Sequence, residues 1–514
     1  MGQECPEVSG STGKHRSIQF KRNDGGYSSN QKSPKNHQPF TGEHSVKEWV
    51  KLEQAIQNSG LKEGDRISFH HHLRMGDRIV TLILPILSKM NYKNLTLSAS
   101  SLLGPACEAV LTGIKMGTIA QLETTGLKPP LSTFLEKGDL GIPVIFRSHG
   151  GRARSISSGE SPVNLAFLAV SAADRSGNGN GTQGPNRFGS LGYGLVDARW
   201  AEQVILLTDT ILEEGLKQIS IPSEQVDQMV LIPQIGVRKE ITGGSLRTTV
   251  KPLESLIALK ALEVLIAGGM IKEGFNFQAG SGGISLKLSS LVAQYMRENH
   301  IQGGFASGGV TASLVKLLQE GLFQTLYDVQ SFDDEASFSL GQDNQHIEMS
   351  ASRYANPDYK DCIAHQLDIM ILSATEVDCN FNVNSLTGSD GRFIGALGGA
   401  PDTGEGSKIT MVVLPSFRAR IPSIREKVHT VCTEGKYIDL IVTERGFSVN
   451  PKNKDLMEIL ENQGLHSVPI KSLMNRIYEI TGVPQYPKLT SQKIAVVEDR
   501  HGKILDTIFK SDCF

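Results

Sequence analysis

The sequence lacks any excess of charge of one sign and any long hydrophobic run. Its 52 lysine and arginine residues nearly balance 54 acidic residues, which leaves a formal net charge of −2. Proteins that bind nucleic acids or anionic membranes usually carry a basic excess, so the composition favours neither partner. The longest clear apolar run, residues 79–87, contains Pro85 and is too short to cross a bilayer.

Cysteine is also sparse and shows no pattern. The six cysteines are scattered, and none stands in a C-x-x-C pair. A disulfide framework or a structural zinc site is therefore not expected, and reduced thiols fit best. The first residues are polar and lack the apolar core of a secretory signal. We therefore expect a cytoplasmic protein without a bound metal.

The chain divides by composition and pattern. Residues 1–44 are rich in Gly, Ser, Asn, Lys and Gln, and we expect them to form a mobile arm. Ser45 and Glu48 have the spacing of a capping box, which predicts that the first helix begins there. From this point helical patterns alternate with short apolar runs, as in an α/β fold with mainly parallel strands.

A short repeat divides the remainder in two. The tripeptide Lys-Glu-Gly occurs at residues 62–64 and again at 272–274, each time after an amphipathic helix and before an apolar run. Each run leads into a loop suited to ligand contact. We interpret this as a duplication that gives two related α/β domains, residues 45–250 and residues 251–514.

The first of these loops is basic. His70, His71, His72 and Arg74 follow the strand predicted at 66–69. Open α/β sheets bind ligands at the carboxyl ends of their strands, and arginine holds a carboxylate through two parallel hydrogen bonds. The cluster therefore suits a multiply anionic substrate. A metal site and an incidental basic loop are the alternatives, although adjacent histidines do not easily converge on one metal.

Glycine is abundant, with 53 residues, many of them clustered beside apolar runs. His149 and Arg152 flank a Gly-Gly pair that either binds a carboxylate or phosphate or only forms a turn. The other clusters offer backbone N–H groups suited to an anion or an oxyanion. They are Gly280, Ser281, Gly282 and Gly283; Gly308 and Gly309; and Gly398 and Gly399.

Several common catalytic motifs fail or are absent. Residues 179–184 match G-x-G-x-x-G, but they lie well beyond their strand and no helix is predicted to begin there, so a Rossmann site is not expected. The sequence has no G-x-S-x-G elbow and no Walker A motif. Hydrolase and NTPase functions therefore lose support.

Taken together, these clusters resemble the citrate lyase α-subunit family of the CoA-transferase superfamily. The resemblance runs from about residue 45 to the C-terminus and includes the string S-F-H-H-H at 68–72. It implies two similar α/β domains of the CoA-transferase type, with the active site between them. The matching strings lie at 68–77, 148–152, 280–283, 328–333, 346–348, 381–384 and 387–391.

The resemblance also implies an activity and partners. The expected enzyme is a transferase that moves an acyl-carrier-protein thioester from acetyl to citrate, giving citryl carrier protein and acetate. No cofactor is expected to be bound covalently to this chain, which would use acetyl-CoA or the CoA-like arm of the carrier protein. The implied partners are the carrier γ subunit and the citryl lyase β subunit, with no nucleic acid and no membrane.

The resemblance gives the candidate residues their expected roles. The substrate-binding residues are His70, His71, His72, Arg74, His149 and Arg152; the thioester-binding residues are Gly280, Ser281, Gly398 and Gly399; the catalytic residues are Gly282, Gly283, Gly308 and Gly309. The roles of Glu348 and Asp402 stay open, because each suits a buried structural carboxylate equally well.

The expected mechanism depends on a missing carboxylate. Related CoA-transferases use a glutamate that attacks the acyl thioester. Aligned by eye, Gly304 stands at that position, which predicts that citrate itself supplies the attacking carboxylate and forms a mixed anhydride. Two alternatives stay open: a CoA-transferase for another small carboxylic acid, and a non-catalytic acid sensor on the same scaffold.

Overall fold

The computed structural model describes residues 49–241 and 251–512. The expected arm at 1–44, the capping box at Ser45 and Glu48, and the boundary at residue 250 lie outside these residues. The helices of the described residues are α1 (Leu52–Asn58), α2 (Ile79–Lys89), α3 (Pro105–Lys115), α4 (Leu131–Glu136), α5 (His149–Ser157), α6 (Gly194–Trp200), α7 (Pro252–Ala267), α8 (Gly283–Glu298), α9 (Ala312–Gln319), α10 (Asp334–Leu340), α11 (Ala351–Ala355), α12 (Ala400–Gly406), α13 (Lys454–Asn462) and α14 (Ile470–Thr481).

Short strands alternate with these helices. They are β1 (Arg66–Phe69), β2 (Leu95–Ala99), β3 (Ile119–Thr124), β4 (Val144–Phe146), β5 (Leu165–Ala169), β6 (Ala172–Asp174), β7 (Gly179–Asn180), β8 (Gln203–Thr208), β9 (Ile211–Leu212), β10 (Gln228–Leu231), β11 (Phe277–Ala279), β12 (Gly303–Val310), β13 (Phe323–Ser331), β14 (His346–Glu348), β15 (Ile369–Ser373), β16 (Glu376–Asp378), β17 (Val383–Asn384), β18 (Ile409–Val413), β19 (Phe417–Arg418), β20 (Ile421–Pro422), β21 (Ile424–Arg425), β22 (Leu440–Thr443), β23 (Gly446–Val449), β24 (Leu489–Glu498) and β25 (Ile504–Ser511).

Two large sheets share one strand order. In the first sheet β1 is flanked by β2, β3 and β4 on one side and by β5, β8 and β10 on the other. In the second, β11 is flanked in the same way by β12, β13 and β14 and by β15, β18 and β22. All of these neighbours pair in parallel. The two Lys-Glu-Gly tripeptides precede equivalent central strands, so the expected pair of similar α/β domains is confirmed.

Two small sheets repeat the same relationship. β6 pairs antiparallel with β7 and parallel with β9, and β16 pairs in the same way with β17 and β21. Asp174 accepts hydrogen bonds from the backbone and side chain of Asn178, and Asp378 accepts the equivalent bonds from Asn382. These aspartates close matching turns, so the duplication extends to side-chain hydrogen bonds. The G-x-G-x-x-G segment begins in β7, and no helix opens from it.

The last hairpin belongs to the first sheet, although the sequence analysis grouped it with residues 251–514. β24 pairs in parallel with β4, and β25 pairs antiparallel with β24. Ala495 and Val497 of β24 are buried in the hydrophobic core of the first sheet. The hairpin thus covers an edge at β4 whose backbone groups would otherwise lack partners.

The first described helix begins later than the capping-box spacing at residues 45–48 predicts. Trp49 forms a bridge with Met229, and the backbone N–H of Val50 donates to the carbonyl of Met229. Residues 49–51 are therefore extended against the edge strand β10, and the helix starts at Leu52. Within the described residues, no helix combines the length and the apolar content that crossing a membrane requires.

The two domains share part of one core. The hydrophobic cluster beneath the first sheet also contains Val329, Tyr354 and Leu397, all from the second half of the chain. Helix α5 of the first domain packs against α11 of the second. This contact brings the carboxyl-end loops of the two sheets against each other.

Candidate active site between the domains

The basic loop after β1 has an inner and an outer part. His70 and His72 are buried. His70 Nε2 lies 3.1 Å from Asp197 Oδ2, and the His72 ring stacks on Phe188 at 4.9 Å between centroids. These two rings pack inside the first domain and support the loop from behind.

The outer part of the loop meets the second domain. The side-chain amide of Gln330 donates to the carbonyl of His71 over 2.9 Å. The guanidinium carbon of Arg74 lies 4.1 Å from the centroid of the Phe332 ring. Arg74 has a φ of 54°, a conformation that costs free energy in residues other than glycine and recurs at functional sites. His71 and Arg74 therefore face the gap between the domains.

Tyr193 joins two of the expected substrate-binding histidines. Its ring stacks on His71 with centroids 5.7 Å apart and contacts His149 at 4.5 Å. His71 Nδ1 shares a 2.6 Å hydrogen bond with the hydroxyl of Ser100, and the backbone N–H of His149 donates to the carbonyl of Gly398. His71, His149 and the Gly398 loop thus come together across the domain interface.

These histidines act as neutral groups. Burial, with the nearby Arg152 guanidinium, lowers the pKa of His149 to about 3. Burial and the surrounding basic side chains hold the pKa of His71 well below its usual value. Burial also raises the pKa of the Tyr193 hydroxyl well above its ordinary value. Near neutral pH the positive charge on this side therefore comes from Arg74, and the histidines offer uncharged hydrogen bonds.

Arg152 has its partner inside the first domain. Its two terminal nitrogens donate to the two carboxylate oxygens of Asp197, at 2.9 and 2.8 Å. Burial opposes ionisation of Asp197, but Arg152 and His70 bring the pKa of this carboxyl well below its usual range. Arg152 therefore fixes Asp197, and Asp197 in turn orients His70.

Asp402 of the second domain anchors the start of α5. It is fully buried and accepts hydrogen bonds from Ser148 Oγ at 2.6 Å and from the backbone N–H of Gly150 at 2.9 Å. His149 lies between these two donors in sequence. The open question about Asp402 thus has a structural answer, because its carboxylate is engaged in holding the helix that carries His149.

Some of the clustered glycines of the second domain lie beside a cavity, and next to it three side chains are linked by hydrogen bonds. Gly280, Ser281 and Gly309 line a cavity of about 270 Å³ between α8 and α9. Gln278 accepts a hydrogen bond from Ser307 Oγ and donates to the hydroxyl of Tyr354 over 2.8 Å. The cavity and these hydrogen-bonded side chains lie at the carboxyl ends of β11 and β12, the edge where ligands bind in open α/β sheets.

Two glycines of the second domain lie directly against aromatic rings beside the domain interface. A Cβ atom on Gly309 would stand 2.2 Å from Cζ of Phe332, the ring beneath Arg74. A Cβ atom on Gly399 would stand 2.4 Å from the Tyr354 hydroxyl. Both distances are far inside van der Waals contact, so any larger side chain would push these aromatic rings out of place.

Gly282 and Gly283 occupy the start of α8. A Cβ atom on Gly282 would stand 2.5 Å from Ser373 Oγ, and one on Gly283 would stand 2.8 Å from a carboxylate oxygen of Glu254. The space beside Gly283 is therefore already filled by a negatively charged side chain.

Gly304 does not lie in the site. It stands near the amino end of β12, where a Cβ atom would meet Asn276 Oδ1 at 2.5 Å. The position aligned by eye with the catalytic glutamate therefore sits at the end of the strand remote from Gly308 and Gly309. The described residues contain no group of three or more His, Cys, Asp or Glu side chains arranged to hold a metal ion.

Comparison with known proteins shows which family the chain belongs to. The family model for citrate lyase, alpha subunit, matches residues 45–511. The chain belongs to the citrate lyase α-subunit family. The sequence resemblance is thereby confirmed, and with it the expected enzyme class, a transferase component.

Curated relatives carry the same family name. The citrate lyase alpha chain of Haemophilus influenzae is 43% identical over 459 residues, covering 89% of this chain and 92% of the relative. The citrate lyase alpha chain of Escherichia coli is 41% identical over 479 residues, covering 93% and 94%. The two alignments span nearly the whole of both relatives.

Solved structures of the family and of its fold agree. A protein assigned as the α subunit of citrate lyase from Streptococcus mutans, crystallised in complex with citrate, superposes with a TM-score of 0.88 at 39% identity and covers 91% of this chain and 92% of that chain. A Pseudomonas malonate decarboxylase superposes with a TM-score of 0.63 at 15% identity, covering 85% of this chain and 88% of that chain, a likeness of fold alone.

Within this citrate lyase α fold, the candidate residues fall into two groups by position. The structure brings His71, Arg74, His149, Gly398 and Gly399 to the domain interface, and Gly280, Ser281, Gly308 and Gly309 to the neighbouring edge of the second sheet. His70, His72 and Arg152 lie behind them. The residues missed were Asp197, Tyr193, Gln278 and Tyr354.

The missed residues left only a weak signal in the sequence. Both copies of the pattern Asp-x-x-x-Asn-x-Asn, at 174–180 and 378–384, precede Gly-rich loops and a short helix. Aligning the copies would have singled out α6 and α12, which carry the buried Asp197 and Asp402. Nothing comparable distinguishes Gln278 or Tyr354 from ordinary interior residues.

Proposed function

We propose that this chain is the α subunit of a citrate lyase that transfers a carrier-protein thioester from acetyl to citrate. The observation that carries the proposal is the meeting of His71 and His149 with the Gly398 loop between two CoA-transferase-type domains, with Arg74 beside His71. One side of the site carries the charged Arg74 and the neutral His71 and His149, and the glycine loop lies opposite. This arrangement suits a polyanion held against an acyl group.

Arg74 is the proposed charged contact for citrate. Its guanidinium supplies directional hydrogen bonds to a carboxylate, and the neutral His71 and His149 supply further donors without adding charge. The Streptococcus mutans relative in complex with citrate supports this ligand. His70, His72 and Arg152 act from behind, because their contacts lie within the first domain.

The cavity beside Gly280 and Ser281 fits the thioester arm. Its wall combines apolar Leu314 and Leu317 with the hydroxyls of Ser289 and Ser290. This mixture suits a flexible arm in which methylene and amide groups alternate. When bound, the arm of acetyl-CoA or of a carrier γ subunit supplies the thiol that carries the acyl group. We place the acyl oxyanion near Gly308 and Gly309, because Gly309 lines this cavity, whereas the neighbour of Gly283 is the carboxylate of Glu254.

In the proposed reaction, a carboxylate of citrate attacks the acetyl thioester carbonyl. The carbon–sulfur bond breaks, and a mixed citryl–acetyl anhydride forms. The citryl carbonyl then accepts the thiolate, and acetate leaves with one oxygen that came from citrate. The contacts of the nearby carboxylates support this route, because each carboxylate already has a structural partner. Asp197 is paired with Arg152, Asp402 holds the start of α5, and Glu348 accepts a hydrogen bond from the backbone N–H of Leu191.

Oxygen tracing in a single turnover tests the route. Citrate labelled with ¹⁸O in its carboxylates is mixed with excess enzyme to which acetyl-CoA or the acetylated carrier protein is bound, and the acetate is analysed by mass spectrometry. Direct attack puts one labelled oxygen into the first acetate released. Unlabelled first-turnover acetate, or an enzyme carboxylate trapped by hydroxylamine, would show that a side chain attacks instead.

Acceptor choice separates citrate from other small acids. Citrate, acetate, butyrate and hydroxybutyrate are compared as acceptors from the same acetyl thioester. The proposal expects citrate to have the highest kcat/KM, whereas a poorer rate with citrate would indicate a different CoA-transferase. Binding of citrate without any acyl exchange would indicate a sensor. The proposed setting is cytoplasmic, with a carrier γ subunit and a lyase β subunit as partners.

A further inference from the structure

An arginine in the C-terminal hairpin reaches into the second domain. Arg500 lies in the turn between β24 and β25, yet its side chain is only 1% exposed. Its Nη1 donates to the carbonyl of Asp402 at 2.9 Å, and its Nη2 donates to the carbonyl of Ala355 at 2.7 Å. A hairpin of the first sheet thus binds the carboxyl end of α11 and the start of α12 at once.

The contacts continue from Arg500 through Asp402 to the candidate site. Its Nε lies 3.9 Å from Asp402 Oδ1, and this carboxylate accepts from Ser148 and from Gly150. These two residues flank His149, whose own N–H donates to Gly398 just before α12. The start of α5 therefore donates hydrogen bonds both to the carboxylate of Asp402 and to the backbone carbonyl of Gly398.

We propose that Arg500 is a positioning residue for the transfer reaction. By fixing α12 and the carboxylate of Asp402, it sets the start of α5 and holds His149 in register with the Gly398–Gly399 loop. The inference rests on the proposed function only for what the site does. The mechanical link from the hairpin to α5 stands on the hydrogen bonds alone.

The charge of Arg500 affects the pKa of Asp402, so the contact between them should influence how the reaction rate depends on pH. Burial raises the pKa of Asp402 to about 6, and Arg500 opposes that rise. Without Arg500 the pKa of Asp402 would rise further, so the carboxylate would be protonated nearer to neutral pH and its charge-assisted bonds to α5 would weaken. The titratable and charged groups that act on or respond to Asp402 are Arg500, Glu405, Tyr354, Tyr193 and Cys362.

Two substitutions and a control on the same turn test the proposal. Arg500→Met removes the charge and every hydrogen bond of the guanidinium, including the 3.2 Å contact of Nη2 with His365 Nε2. Arg500→Lys keeps the charge, and Lys503→Met changes an exposed residue of the hairpin. For Arg500→Met we expect kcat to fall roughly tenfold to hundredfold, the cost of misplacing a catalytic geometry. The acid limb of its pH profile should move to higher pH. Arg500→Lys should keep the limb near its wild-type position with part of the rate.

Hydrogen exchange reads the same link without activity. In the absence of substrate, Arg500→Met should speed exchange of peptides covering 148–157 and 397–406, with Lys503→Met unchanged. The proposal is overturned if Arg500→Met keeps the wild-type pH profile and exchange pattern, or if Lys503→Met has the same effect. If the wild-type enzyme fails to use citrate, the proposed function falls, and the exchange result still decides the role of Arg500.

Discussion

Arg152 holds Asp197 through two hydrogen bonds of 2.9 and 2.8 Å at a point where the carboxylate has no exposure to solvent. Removing one member of such a buried pair leaves the other charge without compensation. Asp197→Asn should therefore lower the free energy of unfolding by about 3–5 kcal/mol, measured by urea denaturation.

A surface pair provides the control for that substitution. Glu213→Gln breaks the exposed pair between Glu213 and Arg175, and we expect its unfolding midpoint to stay at the wild-type value. If Asp197→Asn were no less stable than Glu213→Gln, the Arg152 pair would have no structural importance.

Arg74 should dominate citrate affinity. Arg74→Gln removes the charged donor that faces the domain gap, and losing a hydrogen bond to a charged group costs about 1.5–3 kcal/mol. This equals a roughly tenfold to hundredfold weaker Kd, which isothermal titration with citrate would measure. Arg78→Gln, which changes an arginine of the same loop region paired with Glu240, should bind citrate normally. Equal losses for both variants would argue against a specific contact.

The cavity beside α8 should matter for the thioester and not for citrate. Ser290 and Gln294 are both exposed on α8, but Ser290 lines this cavity, whereas Gln294, one helical turn further, is bonded to Glu298. We expect Ser290→Trp to raise the KM for acetyl-CoA by at least about tenfold, because an added indole fills space the arm needs. Its citrate Kd should not change, and Gln294→Trp should behave as wild type. An unchanged KM for acetyl-CoA in Ser290→Trp would show that the thioester arm does not bind in this cavity.

His149 should make the folded protein sensitive to acid. Its pKa falls to about 3 in the folded protein from a value of 6.5 in the unfolded chain, so between these values only the unfolded state binds the proton. Stability from this group is therefore complete above about pH 6.5 and is lost as pH falls toward 3, at about 1.4 kcal/mol per pH unit.

The variant His149→Asn isolates that contribution. Compared with wild type, its unfolding free energy should depend less steeply on pH by the same amount per unit between pH 4 and 6, as determined by urea titrations across that range. An identical slope in the two proteins would mean that His149 is protonated in the folded state.

Much of the fold was accessible from the sequence because its signals are local. The Lys-Glu-Gly repeat and the apolar runs predicted two α/β domains, and residues 66–69 lie in a strand as expected. The C-terminal hairpin was assigned to the wrong sheet because its pairing joins distant residues: Arg147 and Glu498, which form a salt bridge beside it, are 351 positions apart. Composition holds no record of such a contact.

The site was predicted where chemistry shows in residue type and missed where it depends on packing. The basic loop and the glycine clusters are conspicuous strings, and the structure places them at the facing edges of the two sheets. The sequence predicts that Arg152 binds substrate and gives no sign of its partner Asp197, which lies 45 positions away on another helix. Tyr193 and Tyr354 resemble ordinary core aromatics until the domains are brought together.

The position of the last hairpin has a consequence for synthesis. Because β24 completes a sheet that starts with β1, the second domain is nested within the chain of the first. During translation the sheet of the first domain cannot be completed until β24 has been synthesised. Its β4 edge therefore stays unpaired while the whole of the second domain leaves the ribosome. Such long-range closure slows folding and exposes a strand edge to aggregation. We therefore expect the nascent chain to depend on chaperones until its final residues emerge.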